Sequence, residues 1–239
     1  MTKQPKEPHI VLLHGWGSNP SRWDEVKKHI RSGKVFVPYI PGFDPQKPLK
    51  KPFTMDDYSK WLETYIDSNS IKNPVIIGHS NGGRIATHYT TQHKDVSKLI
   101  LIGSAGIINT KLLFLLKKSV FKKLSAVGKN ILRSRTTSGF AEKVLYKLAG
   151  ESDYQRSSLV MKQTMQNMLE YDIEKDLLTV LCPTLCIWGT RDRSTPLWMG
   201  KKIHSFLPDS KMVVLDGSHH LHRETPDKLA GVIDSFVSL

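Results

Sequence analysis

Two short segments of the chain combine residue types that suit nucleophilic catalysis. The first, residues 78–83, reads Gly-His-Ser-Asn-Gly-Gly and fits the pattern Gly-x-Ser-x-Gly directly after a short apolar run. A strand that turns at once into a helix presents such a serine at a sharp bend, where glycine neighbours relieve crowding and the helix N-terminus favours negative charge. The spacing therefore predicts that Ser80 is a nucleophile.

The second segment, residues 14–17, reads His-Gly-Trp-Gly and follows the first apolar run of the chain. A serine that attacks a carbonyl needs backbone N–H groups directed at the oxyanion that forms. We assign these donors to Trp16 and to Asn81, the residue after the serine. The neighbouring residues expected to contact substrate are His14, Gly15 and His79.

Short apolar runs alternate with helical patterns along the chain, which is typical of a mostly parallel sheet covered on both faces. The predicted strands are His9–Leu13, Val35–Ile40, Pro74–Gly78, Leu99–Gly103, Thr184–Gly189 and Lys211–Leu215. The predicted helices are Asp24–Arg31, Asp56–Ser68, Gly82–His93, Leu197–Phe206 and Asp227–Val237. Thr54 and Asp57 have the spacing of a capping box at the start of the second helix.

Residues 107–180 interrupt this alternation with about three helical patterns, which is too long for an ordinary crossover between parallel strands. We predict a core formed by residues 1–106 and 181–239, with a helical cap inserted at 107–180. Met161, Met165 and Met168 recur there at helical spacing. Such a stripe is typical of the interior of a cap; if it faces the pocket, Met165 would line a flexible apolar acyl site.

Four motifs, in this order, resemble the α/β-hydrolase superfamily: HGWG, GHSNGG, the segment Gly189–Pro196, and His219 followed by Glu224 and Pro226. The closer resemblance is to its capped branch of serine esterases, lipases and carbon–carbon bond hydrolases. It extends from Ile10 to the C-terminus, apart from the cap. It implies an α/β-hydrolase fold with about six strands, flanking helices and an inserted helical cap.

The resemblance also implies a triad of Ser80, Asp192 and His219, in the family order of nucleophile, acid and histidine. Asp192 would hold the imidazole tautomer and stabilise the imidazolium. Three histidines stand close together at 219, 220 and 222. The family histidine precedes a glutamate by five residues and a proline by seven, which favours His219, with His220 as the alternative and His222 as a surface or pocket residue.

These residues predict a serine hydrolase that cleaves a small or lipid-like carboxylic ester through an acyl-enzyme. Hydrolytic cleavage of a carbon–carbon bond in a vinylogous diketone is an alternative, because the same triad performs it. A non-catalytic ligand receptor on the same fold is the alternative from another class. No histidine pair has a convincing metal-ligand spacing, so we expect no metal and no cofactor.

The composition is ordinary for a soluble protein, with 39% hydrophobic and 24% charged residues in 239. No apolar run approaches the roughly 18–20 residues that cross a bilayer. Two cysteines, Cys182 and Cys186, do not make a disulfide framework. These features predict a cytoplasmic protein; the oligomeric state is not predicted.

The formal net charge is +13, and residues 111–135 hold eight basic side chains and no acidic one. A basic amphipathic helix of this kind fits a cap helix with a solvated lysine face, and it also fits weak contact with an anionic membrane. Nucleic acid is not an expected partner, because the chain has neither zinc-ligand spacing nor an RNA-binding motif.

Overall fold

The computed structural model describes residues 7–107 and 158–239. Its centre is a six-stranded sheet in the order β2-β1-β3-β4-β5-β6, and every neighbouring pair is parallel. The strands are β1 His9–Leu13, β2 Lys34–Phe36, β3 Val75–His79, β4 Lys98–Ile102, β5 Thr184–Gly189 and β6 Ser210–Leu215. The expected α/β sheet of about six strands is confirmed.

Eight helices connect or flank these strands in the described ranges. They are α1 Asp24–His29, α2 Met55–Ser68, α3 Asn81–Gln92, α4 Leu159–Glu170, α5 Glu174–Leu177, α6 Leu197–Phe206, α7 Leu221–Glu224 and α8 Pro226–Val237, and a 3-10 turn spans Pro20–Trp23. The capping box is confirmed, because the Thr54 hydroxyl accepts from the Asp57 N–H while the Asp57 carboxylate accepts from the Thr54 N–H.

The alternation of side chains along the strands divides the core into two layers. Val11 and Leu13 of β1 pack with α2, α3 and α6, whereas Ile10 and Leu12 pack with α1 and α8. All five residues of β3 and all six of β5 are buried. The central strands are therefore covered on both faces, as expected for a parallel sheet.

The largest departure from the predicted strands is β2, which was expected to span Val35–Ile40 and ends at Phe36. Pro38 has no N–H to donate to a strand ladder, so pairing stops before it. The short helix α7 was not predicted, because its four residues are too few for a helical period to be visible.

The predicted division into a core and a cap remains a prediction. Helices α4 and α5 are the described part of the predicted cap, whereas the basic stretch 111–135 lies outside the described residues. Within residues 7–107 and 158–239, no helix has the length and hydrophobicity that crossing a membrane requires.

Candidate active site

Ser80 stands at the abrupt junction between β3 and α3. Its backbone has φ 53° and ψ −118°, outside the region that non-glycine residues favour. A Cβ added to Gly78 would lie 2.4 Å from Cα of Gly83, and a Cβ added to Gly83 would lie 2.4 Å from Oγ of Ser104. The glycines of the motif therefore allow the strand and the helix to approach closely enough to hold the strained serine.

The end of β1 lies beside this junction. A Cβ on Gly15 would lie 3.3 Å from the Cβ of Ser80 and 3.2 Å from Nδ1 of His79. A Cβ on Gly82 would lie 2.5 Å from the carbonyl oxygen of His14. The two glycine-containing segments that the sequence singled out therefore meet in space.

Asp192 follows β5 and is buried, with a side chain that is 1% exposed. Its Oδ1 accepts the backbone N–H groups of Ser194 and Thr195 at 2.9 and 2.8 Å. Its Oδ2 lies 2.7 Å from Nδ1 of His219 and 2.9 Å from the hydroxyl oxygen of Thr195. Both carboxylate oxygens therefore have donors, which is what a buried anion requires.

His219 follows β6, and its ring is oriented through Nδ1. Because Asp192 is the hydrogen-bond partner of Nδ1, the neutral ring carries its proton there and leaves Nε2 free to accept a proton. Gly103, at the end of β4 with φ +49°, borders the pair: its added Cβ would lie 3.1 Å from Asp192 Oδ2. A buried carboxylate therefore holds the His219 imidazole in one tautomer.

The segment that carries His219 is itself fixed by Glu224. The Glu224 carboxylate accepts the Ser218 N–H at 2.8 Å and is also hydrogen-bonded to the Ser218 hydroxyl. These two hydrogen bonds lower the pKa of Glu224. The glutamate five residues after the histidine, which the sequence used only as a spacing mark, thus holds the segment that bears the imidazole.

Ser80, Asp192 and His219 follow three different parallel strands, so all three lie at the carboxyl edge of the sheet. Asp192 and His219 are in direct contact. His79, the residue next to Ser80, has its ring 4.7 Å from that of His219. The structure therefore gathers the predicted triad residues into one corner of the molecule.

The two predicted oxyanion donors are available. Among the described residues, neither the Trp16 nor the Asn81 N–H donates to a protein group. Asn81 is the first residue of α3, where helix N–H groups have no partner inside the helix. Its side-chain amide lies 3.2 Å from the sulfur of Met168 on α4, so α4 covers the beginning of α3.

His14 is buried and both of its ring nitrogens are engaged. Nε2 accepts the Ile40 N–H at 3.1 Å, so the neutral ring donates from Nδ1 to the Gly15 carbonyl at 2.9 Å. Burial lowers the pKa of His14 to about 4. The His14 ring therefore links the backbone of Gly15 to the backbone of Ile40. Met165, which was also predicted to contact substrate, is buried on α4.

His79 and His222 are also buried near the site. The carbonyl oxygen of His219 accepts from Nε2 of His79 at 2.8 Å. Burial, together with the nearby His219 and His222, holds the pKa of His79 well below its usual range. Burial and the nearby His220 lower the pKa of His222 to about 3, whereas His220 is exposed.

A cavity of about 490 Å³ opens on the Trp16 side of the site. Its lining includes the apolar side chains of Trp16, Phe43, Leu49 and Met161, and the polar side chains of Asn19 and Ser158. Gly42 has φ +93° and leaves room for Met161, because a Cβ added to Gly42 would lie 2.5 Å from the Met161 sulfur. Ser80 and Met165 do not line this cavity, which therefore extends from Trp16 away from the serine.

Thr195 is a residue of the site that sequence reasoning missed. Its hydroxyl oxygen lies 2.9 Å from both Asp192 Oδ2 and the Gly103 carbonyl oxygen, and its single proton serves one of them at a time. The available signal was an aspartate three residues before a threonine, a spacing that suits a turn in which the carboxylate accepts backbone N–H groups. Within the described ranges, no three His, Cys, Asp or Glu side chains are grouped to hold a metal.

Comparison with known proteins agrees with this architecture. Residues 8–226 match the model of a family described as alpha/beta hydrolase fold. A pimeloyl-[acyl-carrier protein] methyl ester esterase from Vibrio vulnificus (strain YJ016) is 25% identical, over 91% of this chain and 89% of that protein.

Two solved structures share the fold over almost the whole chain. The enol-lactonase from Burkholderia xenovorans LB400 has a TM-score of 0.74 at 18% identity, over 99% of this chain and 94% of that one. An esterase from Exiguobacterium antarcticum has a TM-score of 0.71 at 18% identity, over 97% and 92%. With the family match covering most of the sequence, the chain belongs to the alpha/beta hydrolase family.

Proposed function

We propose that this alpha/beta hydrolase is a serine esterase that cleaves a carboxylic ester through an acyl-enzyme. The observation that carries the proposal is that a strained serine at the β3–α3 junction lies at the same edge of the sheet as an imidazole held by a buried, fully hydrogen-bonded carboxylate. The esterase relative from Vibrio vulnificus supports an ester as the substrate class. Ser80 is the nucleophile, His219 the base and Asp192 the group that orients His219.

The reaction begins when Nε2 of His219 takes the hydroxyl proton of Ser80 and the serine oxygen bonds to the ester carbonyl carbon. The carbonyl oxygen becomes an oxyanion that accepts the Trp16 and Asn81 N–H groups. When the carbon–oxygen bond to the alcohol breaks, the leaving oxygen receives the proton from His219. Water, deprotonated by His219, then attacks the acyl carbon, the bond to Ser80 Oγ breaks, and His219 returns the proton to that oxygen as the acid leaves.

The buried Asp192 has a defined part in both half-reactions. It stabilises the imidazolium that forms on His219, and it fixes the tautomer whose Nε2 is free. The donors from Ser194 and Thr195 hold the carboxylate in place, so the ring has one orientation. The cavity beside Trp16 is lined by both apolar and polar side chains, which supports an acyl or alcohol group with an apolar portion and a polar portion.

Hydrolysis of short-chain p-nitrophenyl esters by the purified chain tests this proposal. We expect turnover by the wild type and its loss in Ser80→Ala. The matched control is Ser235→Ala, an exposed serine on α8, which should keep wild-type activity. Equal activity in Ser80→Ala and the wild type would refute Ser80 as the nucleophile.

A second assay separates the alternatives that share the fold. Cleavage of a vinylogous diketone without ester turnover would identify a carbon–carbon bond hydrolase. Tight binding of a small ligand with no turnover of either substrate class would identify a receptor. Both results would contradict the proposed esterase activity.

A further inference from the structure

His79 connects the strand that carries the nucleophile to the segment that carries the base. It is the last residue of β3, and its side chain is buried directly before Ser80. Its Nε2 lies 2.8 Å from the main-chain carbonyl oxygen of His219. Because a carbonyl oxygen only accepts hydrogen bonds, Nε2 of His79 carries the proton and donates it.

The position of the His79 ring is determined on several sides. The ring centroid of His219 lies 4.7 Å away and that of His222 lies 4.8 Å away. Trp23 of the 3-10 turn meets the ring edge-on at 6.4 Å, and Gly15 approaches its Nδ1. A ring packed in this way has little freedom to rotate, so its hydrogen bond has a fixed direction.

The surroundings of His79 also keep it uncharged. The titratable groups that face it are His219 and His220 of the segment after β6 and His222 of α7, all of which would become positive on protonation. A charge on His79 would therefore add to the positive charge that His219 acquires during the reaction. A neutral imidazole provides the donor without that repulsion.

We propose that His79 is a positioning residue that places the main chain of His219, and with it the catalytic imidazole, relative to Ser80. This inference rests on the proposed function of the same site. Asp192 fixes the ring of His219 through Nδ1, and His79 fixes the carbonyl of the same residue. The two contacts together determine where Nε2 lies, and a displacement of about 1 Å at a reacting group can cost 10²-fold in rate.

The sequence predicted that His79 contacts substrate, whereas this proposal gives His79 a positioning role. A substrate-binding residue changes KM when it is replaced, whereas a residue that positions the base changes kcat. The direct test measures both constants for a short-chain p-nitrophenyl ester. The variants are His79→Leu, which removes the donor at similar size, and His79→Gln, whose amide nitrogen can reach the same carbonyl.

We expect kcat of His79→Leu to fall by about 10- to 100-fold with KM within about twofold of the wild type. His79→Gln should recover most of the lost kcat. If His79→Leu does not fold, His79→Asn takes its place, because its amide is one methylene shorter and does not reach the carbonyl. Trp23→Phe is the packing control, since it alters a neighbour of His79 and leaves the hydrogen bond intact; its kcat should stay near that of the wild type.

Three results would overturn the inference. One is an unchanged kcat in His79→Leu, and another is an equal loss in His79→Gln and His79→Leu. The third is a raised KM with an unchanged kcat, which would assign His79 to substrate binding. If Ser80→Ala retains the activity of the wild type, the proposed function has failed, so the two failures are distinguishable.

Discussion

Buried histidines have pKa values shifted in opposite directions on two sides of helix α3. Near the N-terminal end of α3, burial lowers the pKa of His14 to about 4 and that of His222 to about 3, and His79 is held uncharged as well. Near the other end, His88 lies between two carboxylates, 2.9 Å from Asp176 and 2.8 Å from Asp56. The first group forms the neutral corner, and His88 with its partners forms the charged clamp.

Burial alone would lower the pKa of His88, but its hydrogen bonds with Asp176 and Asp56 outweigh burial and raise it. The Tyr171 hydroxyl oxygen lies 3.0 Å from Asp176 and 2.8 Å from His88, so the clamp joins α3 to α2 and to the segment after α4. The carboxylates around His88 thus favour its protonated form and make it a structural cross-link, whereas burial favours the uncharged form of the histidines beside Ser80.

The two groups have opposite linkage to pH. The unfolded chain protonates histidine near pH 6.5, so the neutral corner stabilises the fold above that pH and loses this contribution as the pH falls. The charged clamp contributes fully below pH 6.5 and loses its contribution as the pH rises through the raised pKa of His88.

Asp192→Asn should have the largest effect, because it removes the carboxylate that contacts His219 beside the neutral corner. We expect kcat for ester hydrolysis to fall by about 10³- to 10⁴-fold, since an amide cannot stabilise the imidazolium and also favours the wrong tautomer. Steady-state kinetics with a p-nitrophenyl ester measures the loss. Asp216→Asn, an exposed aspartate paired with Arg191, is the control; a loss of the same size there would contradict the assignment.

His88→Leu should destabilise the fold by about 3 kcal/mol while leaving kcat near that of the wild type. The reason is that Asp176, whose side chain is 13% exposed, is left as a poorly solvated charge without its partner. Urea unfolding at pH 6 measures the change in the free energy of unfolding. Asp56→Asn should cost under about 1 kcal/mol, because that carboxylate is 79% exposed. If His88→Leu costs no more than Asp56→Asn, the clamp does not act as a cross-link.

Acid should weaken the fold through the neutral corner. Between pH 7.5 and 5, His14 and His222 should each remove about 2 kcal/mol from the free energy of unfolding, because the unfolded state gains a proton that the folded state does not. His222→Phe should make that decrease about 2 kcal/mol smaller, as measured by urea unfolding at both pH values. His29→Gln, on the surface, should leave the decrease unchanged; an unchanged decrease in His222→Phe would show that His222 is not neutral at pH 5.

Arg84 is a buried cation on α3, between the neutral corner and the charged clamp, and it differs from His88 in its hydrogen bonding. Its side chain is enclosed, and its Nε and Nη1 have no hydrogen-bond partner in the described part of the chain. Burial lowers its pKa to about 10. Arg84→Met should therefore raise the free energy of unfolding by about 1 kcal/mol in urea, the reverse of His88→Leu. A decrease would indicate an anionic partner for Arg84.

The sequence predicted all six strands of the sheet, with β2 too long, and it also supplied the residues to which we assign the proposed chemistry. Apolar runs predicted the central strands because both of their faces are buried, and the glycine spacing around Ser80 reflects a local steric requirement. The bounds of β5 and α6 agree with those predicted. These features are determined by residues that are close together in the sequence, so one sequence is enough to predict them.

Contacts between distant segments could not be predicted in the same way. His79 donates to a backbone carbonyl of His219, and a carbonyl has no residue type that would mark it in the sequence. The charged clamp joins His88 to Asp176 and Asp56, which are ordinary acidic residues until the fold brings them together. Periodicity and local spacing carry no information about such pairings.

Labelling with a fluorophosphonate followed by peptide mapping tests whether His219 activates Ser80. We predict covalent labelling of Ser80 alone in the wild type, with no labelling in Ser80→Ala and strongly slowed labelling in His219→Ala. Labelling of a different serine, or a folded wild-type chain that hydrolyses esters while Ser80 stays unmodified, would contradict the account.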